Sequence, residues 1–120
     1  HQHSVLMPVD NGWKPLTDVY ETETEFVVVM DIAGIEVDDI SAKLKGKTLI
    51  LRGIRREHNL DPKRKYHKME VDFGPFERKI ELPSPVDSDN IQTGYSRGFL
   101  ELRLPKGKSG SGKKIEIPIK

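Results

Sequence analysis

The first candidate for chemistry is a glycine- and lysine-rich stretch at residues 107–114, which reads Gly-Lys-Ser-Gly-Ser-Gly-Lys-Lys. Its Gly-x-x-x-x-Gly-Lys spacing is that of a phosphate-binding loop, in which backbone N–H groups hold the phosphates. Two features argue against that function. Lys114 stands where such loops carry the hydroxyl that binds Mg²⁺, and a proline-containing apolar peptide follows where a helix is needed. The composition instead predicts a flexible linker.

The second candidate is a group of histidines and basic residues in the middle of the chain. His58 and His67 have no partner at metal-ligand spacing, and they form no grouping typical of nucleophilic catalysis. Residues 63–65 are Lys-Arg-Lys beside Tyr66, a pattern seen in nucleic-acid patches and, more often, in solvated loops. We therefore predict no enzyme activity, no metal, no cofactor and no nucleic-acid partner.

Composition narrows the class of protein further. The 120 residues carry a net charge of +1, which favours neither a nucleic-acid binder nor an acidic-ligand trap. Cysteine is absent, which excludes disulfides and thiolate chemistry and suits a reducing compartment, so we expect a cytoplasmic location. No apolar run approaches the ~20 residues of a transmembrane helix, and we predict no membrane span.

The elements that the sequence predicts are strands. Residues 97–106 alternate strictly, with Leu100, Leu102 and Leu104 on one face, and Pro105 ends the pattern. Two hairpins are predicted, at residues 18–22 with 26–32 and at residues 40–45 with 48–53. Further strand patterns cover residues 65–71, 76–82 and 91–95, and a single helical turn or loop covers 37–40. This series predicts an all-β sandwich in one domain.

Two segments have no obvious place in such a sandwich. Residues 54–65 form a long charged loop, and the strand pattern at 65–71 has no nearby partner in the sequence. After the linker, Ile115, Ile117 and Ile119 alternate around Pro118. This apolar end either folds back as an edge strand on its own domain or docks onto another chain by strand addition. Trp13 is predicted to cover a strand edge or to belong to a client-contacting arm.

Six blocks of sequence together resemble the α-crystallin domain of small heat-shock proteins of the bacterial, archaeal and plant kind. The resemblance covers residues 13–120. The blocks are Trp13-x-Pro15, Asp18 to Thr22, Asp31 to Gly34, Leu44-x-Gly46-x-x-Leu49-x-Leu51-x-Gly53, Gly74-x-Phe76-x-Arg78-x-Ile80-x-Leu82-Pro83, and Gly98 to Lys106.

The resemblance implies an immunoglobulin-like β-sandwich and an ATP-independent holdase chaperone. Such a protein binds partly unfolded client proteins, forms dimers with itself and assembles into larger homo-oligomers. The implied organisation is a short arm at residues 1–12, an α-crystallin domain at 13–106 and an extension at 107–120. The alternative is a non-chaperoning adaptor like the related CS domains, which lack an exchanged strand and an Ile-x-Ile tail.

The resemblance also implies three sets of site residues. The tail motif is either Ile115-Glu116-Ile117 or the overlapping Ile117-Pro118-Ile119, and its groove lies between residues 40–44 and 91–95. Dimerisation is implied for the strand at residues 66–71 and for Arg78. The groove residues are Ile40, Ala42, Leu44, Ile91, Thr93 and Tyr95, and the dimer residues are Tyr66, His67, Met69, Val71 and Arg78.

Two positions depart from the family pattern. Thr93 stands where the family usually has alanine, and Arg97 stands where asparagine is common. We expect both to alter the shape of the groove slightly.

Overall fold

The structure is a computed structural model that describes residues 12–58, 60–108 and 113–120. The described residues form eight strands and two single-turn 3-10 helices, at Val37–Asp39 and Ser88–Asn90. The strands are β1 (Thr17–Glu21), β2 (Glu25–Asp31), β3 (Ile40–Lys45), β4 (Thr48–Arg55), β5 (Gly74–Glu81), β6 (Gln92–Ser96), β7 (Phe99–Pro105) and β8 (Lys114–Ile117).

These strands make two antiparallel sheets of four strands each. One has the order β1-β2-β7-β6 and the other the order β5-β4-β3-β8. Both predicted hairpins form, because β1 pairs with β2 and β3 pairs with β4. The predicted all-β sandwich is therefore confirmed. Its β2–β7 contact is non-local and pairs Phe26 with Leu104 and Met30 with Leu100.

The core lies between the two sheets and follows the alternation of the sequence. Leu100, Leu102 and Leu104 of β7 are fully buried, whereas Phe99 on the other face is half exposed. Burying a leucine side chain contributes roughly 1.5–3 kcal/mol. The second sheet supplies the facing layer of the core, with Ile40, Ala42, Leu44, Leu49, Leu51 and Phe76. The strand ends at Pro105, as predicted.

A two-residue turn joins β6 to β7. Ser96 pairs with Phe99, so Arg97 and Gly98 are the two central residues, with φ of 55° and 86°. Positive φ at both positions is the geometry that matches the twist of a hairpin, and it suits asparagine and glycine better than arginine. The departure at Arg97 therefore lies in the turn and carries a local backbone cost.

The segment before β1 covers one edge of the second sheet. Trp13 forms a β-bridge with Phe76 of β5, and its indole Nε1 donates a hydrogen bond to Gly74 O at 3.0 Å. The two aromatic rings are tilted, with centroids 5.4 Å apart. Of the two predicted roles for Trp13, the structure favours the strand-edge cover. The rest of the predicted arm, residues 1–11, lies outside the described residues.

The predicted strand at residues 65–71 does not form in this single chain. Of the chain between β4 and β5, the described residues 56–58 and 60–73 contain no strand. Strand chemistry alone does not make a strand, because the backbone N–H and C=O groups need a neighbour to bond. We call residues 56–73 the loop.

Candidate self-assembly site

The open side of the sandwich, where an edge of each sheet ends, carries an apolar groove. On one side, Ile40, Ala42 and Leu44 of β3 point toward the core and are buried. On the other side lie three partly buried residues in and beside β6, Ile91, Thr93 and Tyr95. The Tyr95 hydroxyl donates a hydrogen bond to Ile35 O at 3.1 Å, which fixes its ring. We call these six residues the tail groove.

The end of the chain lies along the tail groove of its own domain. As β8 it pairs antiparallel with β3, and this places Ile115 opposite Leu44 and Ile117 opposite Ala42. Ile117 is only 6% exposed, and Ile119 packs partly buried against the core. Glu116 and Pro118, which alternate with the isoleucines, are exposed. We call residues 113–120 the tail.

Beyond β8 the tail contacts the other sheet. The Thr93 hydroxyl of β6 donates to Pro118 O at 2.9 Å and accepts from Lys120 N–H at 3.2 Å. The ladder with β3 ends at Ile117, next to the proline that has no N–H to donate. The structure thus brings together the predicted tail and groove residues within one chain. Docking of the tail onto another chain stays a prediction.

The predicted dimer residues of the loop are exposed to solvent. Met69 is 70% and Val71 66% exposed, and Tyr66 and His67 are exposed as well. Isolated apolar side chains at a surface need no explanation, but several in one strand-like segment indicate a contact surface. Whether a second chain covers them stays a prediction.

Both ends of the loop are held by arginines at the end of β4, which the sequence analysis did not single out. Arg55 donates to Ala33 O and to Asp72 O, both at 2.9 Å, and its guanidinium lies 4.2 Å from the centroid of the Trp13 ring. Arg56 binds Asp39 with two hydrogen bonds, of 3.0 and 3.2 Å. The only signal in the sequence was two arginines at the end of a strand.

The paired charges at this point shift each other's pKa. Hydrogen bonding from Arg56 lowers the pKa of the Asp39 carboxyl, and burial opposes this effect only in part. The same hydrogen bond raises the pKa of Arg56.

Arg78, predicted at the dimer interface, is half-buried in β5. Its Nη1 donates to Pro15 O at 3.3 Å, so in this chain it anchors the segment that leads into β1. A role between subunits stays a prediction.

Three observations on the described part of the chain bear on the alternative chemistries. No group of three or more acidic or histidine side chains there could hold a metal ion. No helix among the described residues is long and apolar enough to cross a membrane. The candidate phosphate loop leads into a strand, β8, and its residues 109–112 lie outside the described residues.

The fold and the site together define a class of protein: an immunoglobulin-like sandwich with an apolar groove at its open side, filled by a strand. The Hsp20/alpha crystallin family matches residues 18–120, and the chain belongs to that family. Its members are small heat shock chaperones, which form oligomers and are not enzymes. This confirms the resemblance found in the sequence.

Individual proteins similar to this chain carry names of the same family. Small heat shock protein C2 of Rickettsia felis is 30% identical over 103 residues, which cover 86% of this chain and 67% of the relative. Small heat shock protein C4 of the same organism is 31% identical, with 86% of this chain and 63% of the relative covered. The chain thus spans about two thirds of the length of these two relatives.

Solved structures show the same fold. Heat shock protein 16.0 from Schizosaccharomyces pombe has a TM-score of 0.73 and 27% identity, covering 90% of this chain and 99% of that one. The hspA structure from Xanthomonas axonopodis has a TM-score of 0.72 and 30% identity, covering 82% of this chain and 98% of that one.

Proposed function

We propose that this chain is an ATP-independent holdase that binds partly unfolded proteins and assembles through strand-exchanged dimers and docking of the tail. The observation that carries the proposal is the seating of the tail in the tail groove. A folded domain that binds a short apolar peptide reversibly at its open side has a surface suited both to its own tail and to exposed apolar segments of other proteins.

The energy of tail docking suits a reversible contact. A fully buried isoleucine contributes roughly 1.5–3 kcal/mol. Ile117 is close to that limit, and Ile115 and Ile119 are half-buried. Ordering the backbone of the tail costs conformational entropy that opposes this gain, so one tail by itself is held weakly. Many tails acting together hold an assembly by avidity and still exchange.

The contacts of the tail allow the same seating between subunits. The strand pairing and the two hydroxyl hydrogen bonds described above join residues 114–120 to β3 and to Thr93, and the connection to β7 is a stretch rich in glycine, serine and lysine. A second copy of the tail, entering from a neighbouring subunit, would make identical contacts. Exchange of an identical element between subunits costs little contact energy and is a common route to oligomers.

The loop and β1 suit strand exchange. In the part of the chain that the structure describes, β1 pairs with a neighbour on one side only. Val19 and Tyr20 of β1 are exposed, and Leu16 just before the strand is 77% exposed. An unpaired edge with apolar side chains is a template for another strand. We propose that residues 66–71 of a partner add to this edge, with Tyr66, Met69 and Val71 covering its apolar side chains and Arg78 near the interface.

Release of the tail supplies the surface for clients. When the tail leaves, Ile40, Ala42 and Leu44 lose their cover, and the edge of β3 becomes available for pairing. A partly unfolded protein offers the same two features, apolar side chains and unpaired backbone. We propose the region of Leu6 and Met7 as a second client contact; these two residues lie outside the described residues.

We also propose the organisation that the sequence implied, with an arm at residues 1–12, the folded domain at 13–106 and the extension at 107–120. A cytoplasmic location belongs to the same proposal, because the chain contains no cysteine to exploit an oxidising compartment.

Suppression of client aggregation tests the chaperone function. Light scattering of a heat-aggregating client is followed with and without the full chain at stoichiometric excess, and we expect scattering to fall. Undiminished aggregation contradicts the proposal. Native mass measurement tests assembly: Ile117→Ala with Ile119→Ala should leave dimers and remove larger species, whereas Glu116→Ala should not. A monomer without effect on aggregation favours the adaptor alternative.

A further inference from the structure

The tail groove contains one polar side chain whose contacts with the tail are directed to its backbone. Thr93 lies in β6, on the sheet opposite to the strand that pairs with the tail. Its hydroxyl has one donor and two acceptor positions. The donor is used for Pro118 O and an acceptor for Lys120 N–H, so that the hydroxyl holds the chain on both sides of Ile119.

Together with the β8–β3 pairing, these two bonds join the tail to both sheets. Residues 114–117 add a strand to β3, and residues 118–120 are held by β6. The tail therefore spans the open side of the sandwich and does not lie on one edge alone. Thr93 is the contact that completes this span.

Apolar packing alone does not decide how the tail is seated. Ile115, Ile117 and Ile119 are spaced two residues apart, so a shift by two residues keeps an isoleucine on the groove side at two of the three positions. A shift that placed Glu116 O at the Thr93 hydroxyl would bring Pro118 N to the acceptor, and proline has no N–H to donate. The observed seating gives the hydroxyl both of its partners.

We propose that Thr93 is a specificity-determining residue of the tail groove. Together with Pro118 it selects the register that buries Ile117, and it makes the groove prefer a peptide with three alternating isoleucines, a proline before the third and a backbone N–H after it. The ligand of this chemistry is the tail of this chain, from the same or a second copy. The inference rests on the tail groove of the proposed function and assigns its peptide specificity.

Hydrogen exchange of the full chain tests the role of the hydroxyl. Thr93→Val keeps the shape and removes both bonds, and Thr93→Ser keeps the hydroxyl. The matched control is Thr48→Val, the same change on β4. A neutral hydrogen bond is worth a factor of roughly 2 to 12 in an equilibrium, so losing two should speed exchange of the Lys120 amide and of the β8 amides by roughly 4- to 140-fold. The serine variant and the control should exchange like the original chain.

A peptide competition tests specificity. A synthetic peptide of residues 113–120 and a shorter one of residues 113–117 are added to the full chain, and displacement of its own tail is followed by exchange. The longer peptide should compete better, in part through Ile119 and in part through the hydroxyl. In Thr93→Val we expect the advantage of the longer peptide to shrink by roughly 4- to 140-fold, while Thr48→Val retains that advantage.

The outcomes separate this inference from the proposed function. Equal exchange and an equal peptide ratio in Thr93→Val and the original chain overturn the role of Thr93, even if tail variants still change the size of the assembly. Conversely, exchange of the tail that depends on Thr93 supports the inference. If the size of the assembly at the same time does not respond to Ile117→Ala with Ile119→Ala, tail-mediated assembly is contradicted.

Discussion

Ile117 is the residue on which tail docking depends most, and its replacement by alanine tests the reasoning directly. It is 6% exposed, it pairs with Ala42, and it belongs to both overlapping Ile-x-Ile motifs. Ile117→Ala removes three carbon atoms, which at ~0.8 kcal/mol per buried CH₂ amounts to about 2.4 kcal/mol. Since ~1.4 kcal/mol is a factor of ten, docking of one tail should weaken about 50-fold.

Neighbouring residues of the tail provide the controls. Glu116 is exposed on the opposite face, and Glu116→Ala should change docking by no more than ~0.5 kcal/mol. Ile115 is half-buried, so Ile115→Ala should give an effect between the other two. The order of effects follows the burial of each side chain and not its position along the tail.

The assay is the size distribution of the full chain, measured by native mass spectrometry and light scattering over a range of concentrations. In an assembly held by many tails the loss recurs at each contact, so Ile117→Ala should shift the distribution to small species at every concentration tested. Circular dichroism checks that the domain remains folded. If Ile117→Ala and Glu116→Ala give the same distribution, burial of this isoleucine does not drive assembly.

Three further predictions concern the domain. Gly53→Ala should lower the free energy of unfolding by about 1–3 kcal/mol in a denaturant titration, because the added Cβ would lie 2.6 Å from the ring of Phe76 in the core. In the control Gly94→Ala the added Cβ meets nothing within 4 Å, so the free energy of unfolding should fall much less. Arg97→Asn should raise that free energy by ~0.5–1 kcal/mol, because asparagine tolerates the positive φ of the turn; a loss of stability would contradict the backbone argument. Arg56 lowers the pKa of Asp39 below its ordinary 3.8, so the folded chain binds this proton less readily than the unfolded chain and the pair stabilises the fold above about pH 4. In thermal unfolding, the melting temperature of Asp39→Asn should therefore lie below that of the original chain at pH 7, and the difference should narrow as the pH falls through the lowered pKa of Asp39. A difference in melting temperature that does not change with pH would assign the loss of stability to another cause.

The predictable part of this protein is local. The alternation of Leu100, Leu102 and Leu104 identified a core strand, since side chains two residues apart lie on one face of a strand. Turn residues between two alternating runs identified the hairpins, because a turn also depends on residues that are neighbours in the sequence. The order of the six motif blocks along the chain identified the family, because each block is a short continuous stretch of sequence.

The unpredicted part depends on contacts between residues distant in the chain. Nothing in the sequence indicated that Arg55 binds Ala33 and, at the far end of the loop, Asp72, or that Arg56 binds Asp39. The strand pattern at residues 65–71 forms no strand in the single chain, because a strand needs the backbone of a neighbour, and its pairing with a partner chain stays a prediction.

By itself, the sequence determined that the chain is a β-sandwich with an apolar tail, since patterns of two-residue period and turn residues are read locally. It left open whether that tail folds back on its own domain. Only the tertiary structure decided that, in a single chain, Ile117 lies against Ala42 and that Thr93 holds Pro118 and Lys120. The physical reason is that the Thr93 hydroxyl forms hydrogen bonds with backbone groups of the tail. The position of those groups depends on the fold and not on the side-chain pattern.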